Sequence, residues 1–252
     1  GIWSRGFDKT WDPVTGTAGI EWTPVSDTLM FLKYSRGYKA GGFNTGTIAA
    51  SPTTKPELVD AYELGWKQQL AGRLQLEASV VYYDYQDKQL RAKFVDPIFG
   101  ALDKLVNVPK SEIKGAELEI TASPLSGLTL SASGTYLDAE VKKYEGVTGS
   151  FTDANGLRQP IIASFKGVDL PFAPEFQYTV RADYDFSLGG NLNGFVGVGV
   201  NGQSKSIGIL TVSDADRDLY EIRSRNLVNM NAGIRAADDR WRASLWAKNL
   251  FD

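Results

Sequence analysis

The sequence predicts an all-β fold, a transmembrane antiparallel β-barrel, and two regularities in its 252 residues carry that expectation. Segments of strand length alternate almost without error between an apolar and a polar face. Successive side chains on a strand point to opposite sides, so such a segment has one greasy side and one wet one. The connections between the segments also alternate, short and then long. A barrel threaded through a membrane sorts its loops this way, with short turns on the periplasmic side and long loops outside, whereas a soluble meander has no reason to.

The first strand runs from about Val14 to Thr23, with Ala18, Ile20 and Trp22 opposing Thr17 and Glu21, and ends at Pro24-Val25-Ser26-Asp27. The second, about Thr28 to Tyr38, opens into a Gly/Thr/Ser/Pro segment from Ala40 to Lys55. The third, about Leu58 to Leu70, turns at Ala71-Gly72 into a fourth reaching about Lys93, where Leu74, Leu76, Ala78, Val80 and Tyr82 oppose Gln75, Glu77 and Ser79. After a loop from Asp96 to Asp103 the fifth strand reaches Ala122, with Ala116, Leu118 and Ile120 against Glu117, Glu119 and Thr121. It turns through Pro124-Leu125-Ser126-Gly127 into a sixth, Leu128 to about Lys143. Tyr144 to Pro171 is the longest gap. The seventh strand, Glu175 to Leu188, has the clearest pattern: Phe176, Tyr178, Val180, Ala182, Tyr184 and Phe186 on one side, Gln177, Thr179, Arg181, Asp183, Asp185 and Ser187 on the other. Gly189-Gly190-Asn191 leads into an eighth ending near Ser206. A loop from Ser213 to Asp218 precedes a ninth, about Tyr220 to Ala236, and Asp238-Asp239 turn into a tenth, Arg240 to Asn249. Every second connection is a hairpin turn of a few residues.

Aromatic residues fall where lipid meets water. Trp22, Trp66, Tyr184, Phe186 and Trp241 lie near short turns, and Tyr34, Tyr38, Tyr82 and Tyr136 lie toward long loops, the two girdles of a membrane barrel. On the tenth strand Trp246 falls on the polar side, where it would pack against whatever fills the lumen. No apolar run reaches the ~18 residues of a membrane helix. The net charge of −3 gives no basic field for nucleic acid, and the absence of cysteine removes disulfides and thiolate chemistry. No charged-then-apolar leader stands at Gly1, so a secretory signal is expected outside this stretch.

Chemistry is mostly excluded. With no histidine, Ser-His and Cys-His catalysis and the usual zinc sets are gone, and with them the histidine-dependent membrane-barrel enzymes. Gly197-Val198-Gly199-Val200-Asn201-Gly202 matches a phosphate-cradle pattern, but it lies inside an alternating strand with no helix after it, so small residues easing strand contact are the simpler reading. Asp214, Asp216 and Asp218 are spaced like the start of a calcium loop, although Leu219 and Arg225 stand where glycine and glutamate belong. Glu117 and Glu119 resemble an acid/base pair. They share the expected lumen face with Glu63, Lys67, Arg181, Asp183, Arg225, Arg235 and Lys248, which favours a mixed charged lining. No cofactor is expected.

Four segments carry a family resemblance: Tyr34 to Asn44 (YSRGYKAGGFN), Pro56 to Lys67 (PELVDAYELGWK), Ile113 to Glu119 (IKGAELE) and Lys248 to Asp252 (KNLFD). In this order they resemble hairpin segments of TonB-dependent outer-membrane receptors. The resemblance implies a 22-stranded barrel holding a globular plug, which imports ferric siderophores, cobalamin or glycans with energy passed through TonB. It implies outer-membrane lipid, the TonB complex and a small-molecule ligand as partners, with no nucleic acid. Residues 1–252 then read as the C-terminal part of such a barrel, about ten strands, without plug, TonB box or final strand. Ten strands closed alone would enclose little more than side chains. A ferric chelate is the first expectation, met by Tyr38, Lys39, Phe43, Arg91 and Lys93 at the outer rim, where aromatic faces and cations suit an anionic, partly aromatic ligand. A passive channel and a soluble β-sandwich binding module are the alternatives.

Overall fold

The computed structural model describes residues 8–44, 53–96 and 100–251; parts of the expected loops 40–55 and 96–103, and Asp252, lie outside them. The elements in chain order are β1 (Gly16–Trp22), β2 (Thr28–Lys39), β3 (Glu57–Leu70), β4 (Leu74–Asp96), β5 (Gly100–Leu125), β6 (Leu128–Lys143), β7 (Glu145–Thr152), β8 (Arg158–Ser164), β9 (Phe176–Gly189), β10 (Leu192–Gln203), β11 (Ser206–Ile207), α1 (Asp214–Leu219), β12 (Glu221–Ile222), β13 (Arg225–Ala236) and β14 (Arg242–Ala247). One sheet follows the order β1-β2-β3-β4-β5-β6-β9-β10-β13-β14, and each pairing along it is antiparallel. These ten strands are the ten that alternation and turns predict.

The ladder is staggered as a barrel wall is. Trp22 pairs with Met30, Met30 with Trp66, and the row continues through Ala78, Leu118, Gly134 and Tyr178 to Gly202 and Asn226. Trp22 closes β1 at its short-turn end, while Asn226 is the second residue of β13 at its long-loop end. One pairing row therefore climbs the full height of the sheet, because the strands tilt against the barrel axis.

Left-handed backbone makes the short turns tight. Asp27, Ala71, Gly72, Gly127, Gly189, Gly190 and Asp239 all have positive φ and all lie at the short-turn end. At Gly127 (φ 83°) a Cβ would also run into the carbonyl oxygen of Asp185, whose N–H donates to Gly127 at 2.8 Å, so only glycine fits there.

Among the described residues nothing covers the apolar face. Ile20 is 71% exposed and Leu245 83% exposed, with Leu32, Leu64, Val80, Leu118, Val180 and Met230 on the same side. In a water-soluble sheet this band would be a liability; facing lipid, it is the surface that holds the barrel in place. Tyr34, Tyr62 and Tyr82 form a paired row across β2, β3 and β4 at its outer margin. Neighbouring rings are 5.2 and 6.1 Å apart. Tyr184 stacks on Phe186 at 5.6 Å near the opposite margin.

Beyond the outer girdle the connections after β6 and β10 are folded, which corrects three expectations. The gap Tyr144–Pro171 contains the hairpin β7/β8, joined to β4 through Lys93 and Val147. The expected ninth strand is broken: Glu221–Ile222 leaves the wall to pair with Ser206–Ile207, and the wall strand begins at Arg225. The loop Ser213–Asp218 is largely helical; Ser213 caps α1 by accepting the N–H of Asp216 at 3.3 Å. Phe165, Val168, Leu170 and Leu210 from these connections pack with Val108, Ala139 and Val141 of β5 and β6 into a buried cluster. Val141 donates to Val168 at 2.9 Å and Leu170 to Ala139 at 2.9 Å, so the returning segment is sewn along β6.

Candidate functional site: the lumen wall and its outer mouth

Pairing register places Glu63, Lys67, Glu117, Glu119, Arg181, Asp183 and Arg225 on the face opposite the apolar band, the lumen side of the wall. Opposite charges meet across or along the strands there. Lys33 lies 3.7 Å from Glu63, Lys67 2.7 Å from Glu77, Arg235 2.9 Å from Asp185, and Arg181 grips Asp183 through Nε and Nη2 at 2.5 and 2.8 Å. Glu117 and Glu119 line a hollow of about 210 Å³ together with Lys67 and Glu77, so they belong to a mixed lining. Trp246 is on this side too, with Lys248 5.2 Å above its ring, while the Arg242 guanidinium lies 3.9 Å over Phe195. Gly197 leaves room for Asp183 and Asn231, whose side-chain oxygens would stand 2.5 and 2.6 Å from a Cβ. That accounts for the first glycine of the pattern in β10.

At the outer mouth the same face gathers a second set of groups. Tyr83 and Tyr85 line a hollow of about 220 Å³ with Lys33, Ser35, Val59, Ala61 and Glu63. The Lys88 ammonium sits 3.8 Å over the Tyr85 ring and 3.6 Å from the Glu57 carboxylate, which stands across from Lys39. Burial pushes Lys88 below the usual lysine range, Glu57 pulls it back up, and Lys39 adds to the lowering. Burial, reinforced by Glu57, raises the Tyr85 phenol, which therefore remains a neutral hydrogen-bond donor. Two phenols and three ammonium groups on one wall, with Glu63 holding Lys33 and Glu57 holding Lys88, make a surface suited to an anionic ligand with flat faces.

The loop between β2 and β3 is clamped to the β4/β5 hairpin at its base. Gln89 Nε2 donates to the carbonyls of Ala40 (2.7 Å) and Lys55 (3.1 Å). Asn107 donates to Lys55 at 2.9 Å, and Asn44 both donates to and accepts from the Leu105 backbone at 3.0 Å. Beyond Tyr82 the hairpin continues to Asp96, about 45 Å of chain at roughly 3.3 Å per residue.

The five residues expected at the rim do not form one cluster. Lys39 lies on the lumen wall opposite Glu57. Tyr38 shares the outward face of β2 with Tyr34 and Arg36 and is exposed there. Phe43 packs against Trp11 at 6.0 Å. Arg91 is exposed, next to Leu90, which packs against the buried cluster. Lys93 pairs with Asp216 at 3.3 Å. Asp216 also accepts from Thr211 at 3.2 Å, and among the described residues no three acidic side chains gather where they could hold a metal ion. Tyr83, Tyr85, Lys88 and Lys33 were missing from the expected site. For the two tyrosines the signal is the alternation itself: continuing the polar face Gln75, Glu77, Ser79 upward reaches Tyr83 and Tyr85.

A family model described as TonB dependent receptor-like, β-barrel, matches residues 2–250. The chain belongs to this family. Its members are transport receptors of the bacterial outer membrane, and the chain is accordingly an outer-membrane barrel protein whose uncovered band is its lipid face. The "Probable TonB-dependent siderophore receptor PiuA" of Acinetobacter baumannii is 29% identical over 140 residues, 52% of this chain and 18% of that protein. The ferric yersiniabactin uptake receptor FyuA of Yersinia pestis superposes with a TM-score of 0.70 at 20% identity, over 94% of this chain and 32% of that one. The copper transporter OprC gives 0.65 at 16% identity, over 94% and 34%. The chain thus spans less than a fifth of the curated relative and about a third of these solved structures. At such identities the structural likeness speaks for the fold alone.

Proposed function

We propose that the chain is the ligand-receiving sector of an active-transport receptor that imports a ferric siderophore with energy delivered through TonB. The observation that carries this reading is the mouth wall of Tyr83, Tyr85, Lys33, Lys39 and Lys88. Ferric chelates of the catecholate kind are anionic and present aromatic faces, which phenol rings stack against and ammonium groups offset. The names of PiuA and FyuA support iron over other cargo. Residues 1–252 are on this reading one part of a larger barrel whose lumen a plug domain fills, and the mixed charges of Glu63, Lys67, Glu117, Glu119, Arg181, Asp183 and Arg225 are lining that such a domain would meet. A filled lumen offers no passive path. Uptake of an isotopically labelled ferric chelate by cells carrying the full-length protein should therefore stop when the proton gradient is collapsed. Uptake that persists unchanged would replace the energy-coupled receptor with a passive channel.

A further inference from the structure

Just beyond the aromatic row Tyr34, Tyr62 and Tyr82, the outward face of the sheet changes from apolar to charged. Register puts Arg36, Asp60, Asp84, Glu112 and Glu140 in one row across β2 to β6, a single face step above that girdle. The row is layered. The Asp60 and Glu112 side chains are each 15% exposed, whereas Arg36, Lys110 and Lys114 are 39, 46 and 52% exposed. Carboxylates lie close to the sheet, and cations extend past them on long stems.

Three of those cations converge. The Nζ atoms of Lys110, Lys114 and Lys142 lie 3.9, 3.7 and 3.6 Å from the Glu112 carboxylate. Lys110 is also 3.7 Å from Asp84, and Lys142 pairs with Glu140. Lysines and carboxylates are equal in number here, so attraction for an anion comes from Lys110 and Lys114, which extend outward over the half-buried Glu112 carboxylate, with Lys142, covered to the same degree as Glu140, beside them. Each ammonium has three donors, and pairing with Glu112, Asp84 and Glu140 leaves several of them unused. Donors gathered this closely match the oxygens of a phosphate.

We propose that Lys110, Lys114 and Lys142 form a headgroup site for a phosphate-bearing lipid of the outer leaflet, with Glu112 holding the three ammonium groups together. The position argues for a lipid over a soluble ion. The site continues the lipid-facing band: Lys114 pairs with Tyr82 in the tyrosine row itself, Glu112 stands two residues along the strand above it, about 7 Å, and Lys110 two residues further. Headgroups lie at that level when acyl chains pack on the apolar face. Lysine stems that cross the margin of the band to reach phosphates follow the usual behaviour of amphipathic side chains at an interface. The inference needs the outer-membrane placement but not the ferric-chelate reading, so either can fail alone.

The test uses the full-length protein purified in detergent, with bound lipid measured as phosphorus per protein and by native mass spectrometry. K110Q/K114Q/K142Q should lose bound lipid several-fold, while K67Q/K166Q/K248Q, the same charge change off this face, should retain it. Equal retention in the first variant, or equal loss in the second, overturns the proposal. Should the first variant fail to assemble, a photo-crosslinking residue at position 114 of the otherwise unaltered protein should form a lipid adduct in intact cells, and absence of that adduct is equally fatal. Excess inorganic phosphate should leave the lipid in place; displacement would mark an ion site and overturn the lipid assignment.

Discussion

Replacing Ala182 with arginine separates the two faces of β9 more sharply than any other single change. Ala182 stands across from Leu130 and Val198, on the lipid side. It lies midway between Tyr178 and Phe186 on the same face, eight residues apart. At about 3.4 Å per residue that stretch is roughly 27 Å long, or about 21 Å of height at a tilt near 40°, comparable with the ~25 Å apolar band of such barrels. Ala182 is thus near the midplane, where an arginine costs about 2–4 kcal/mol. One position on, Asp183 turns to the lumen and meets Arg181, with the two side chains 32 and 55% exposed. Removing its charge in Asp183→Asn disturbs an exposed ion pair, a loss of about 0–1 kcal/mol. Reversible urea unfolding of the full-length protein in lipid vesicles should resolve the difference. Equal losses, or a larger one for Asp183→Asn, would refute the assignment of faces.

Two further predictions concern the loops and their chemistry. Cysteines at Asn155 and Lys166 should react with an impermeant maleimide on intact cells and cysteines at Ser26 and Ser126 should not; the reverse pattern would turn the barrel upside down. The Asp153 carboxylate accepts N–H groups from Leu157, Gln159 and Asn155, each at 2.9 Å, and these bonds hold it below the usual carboxylate range. A depressed folded pKa gives support that is complete above the unfolded value near 3.9 and disappears as pH falls through the lower folded one. The ratio of Leu157 amide protection in the native protein to that in Asp153→Asn should therefore be constant above about pH 5 and shrink toward one in acid. A ratio independent of pH would show that the carboxylate does not hold the turn.

The wall strands were legible because lipid on one side and lumen on the other impose a period of two over six or more residues, and the turns between them carry Gly, Asp or Pro. Glu175 to Leu188 shows both signals. The hairpin β7/β8 was not legible: Glu145–Thr152 has water on much of its surface and needs no clean alternation, so its sequence EGVTGSFT reads as loop. The break at Arg223–Ser224 was hidden for a related reason, since Tyr220 and Ile222 keep the period of two while pairing away from the wall. Height alone does not say which face a rim residue takes. Tyr38 and Tyr85 both lie toward the long loops, and only parity separates them: Tyr38 follows Tyr34 on the lipid side, and Tyr85 follows Glu77 and Ser79 into the lumen. Lys88 was beyond the reach of parity, because Asp87 takes a left-handed φ of 51° just before it.

The most direct measurement is equilibrium binding of the ferric complex of a tris-catecholate chelator to the full-length protein in detergent, compared across Tyr85→Ala, Lys88→Ala and Tyr38→Ala. A lost ring face or ammonium at a partly desolvated site is worth about 1–2 kcal/mol, so each lumen variant should bind roughly tenfold more weakly, while the outward-facing Tyr38→Ala should bind as the native protein does. Unchanged affinity in Tyr85→Ala and Lys88→Ala, with a loss in Tyr38→Ala, would contradict a ligand wall inside the mouth.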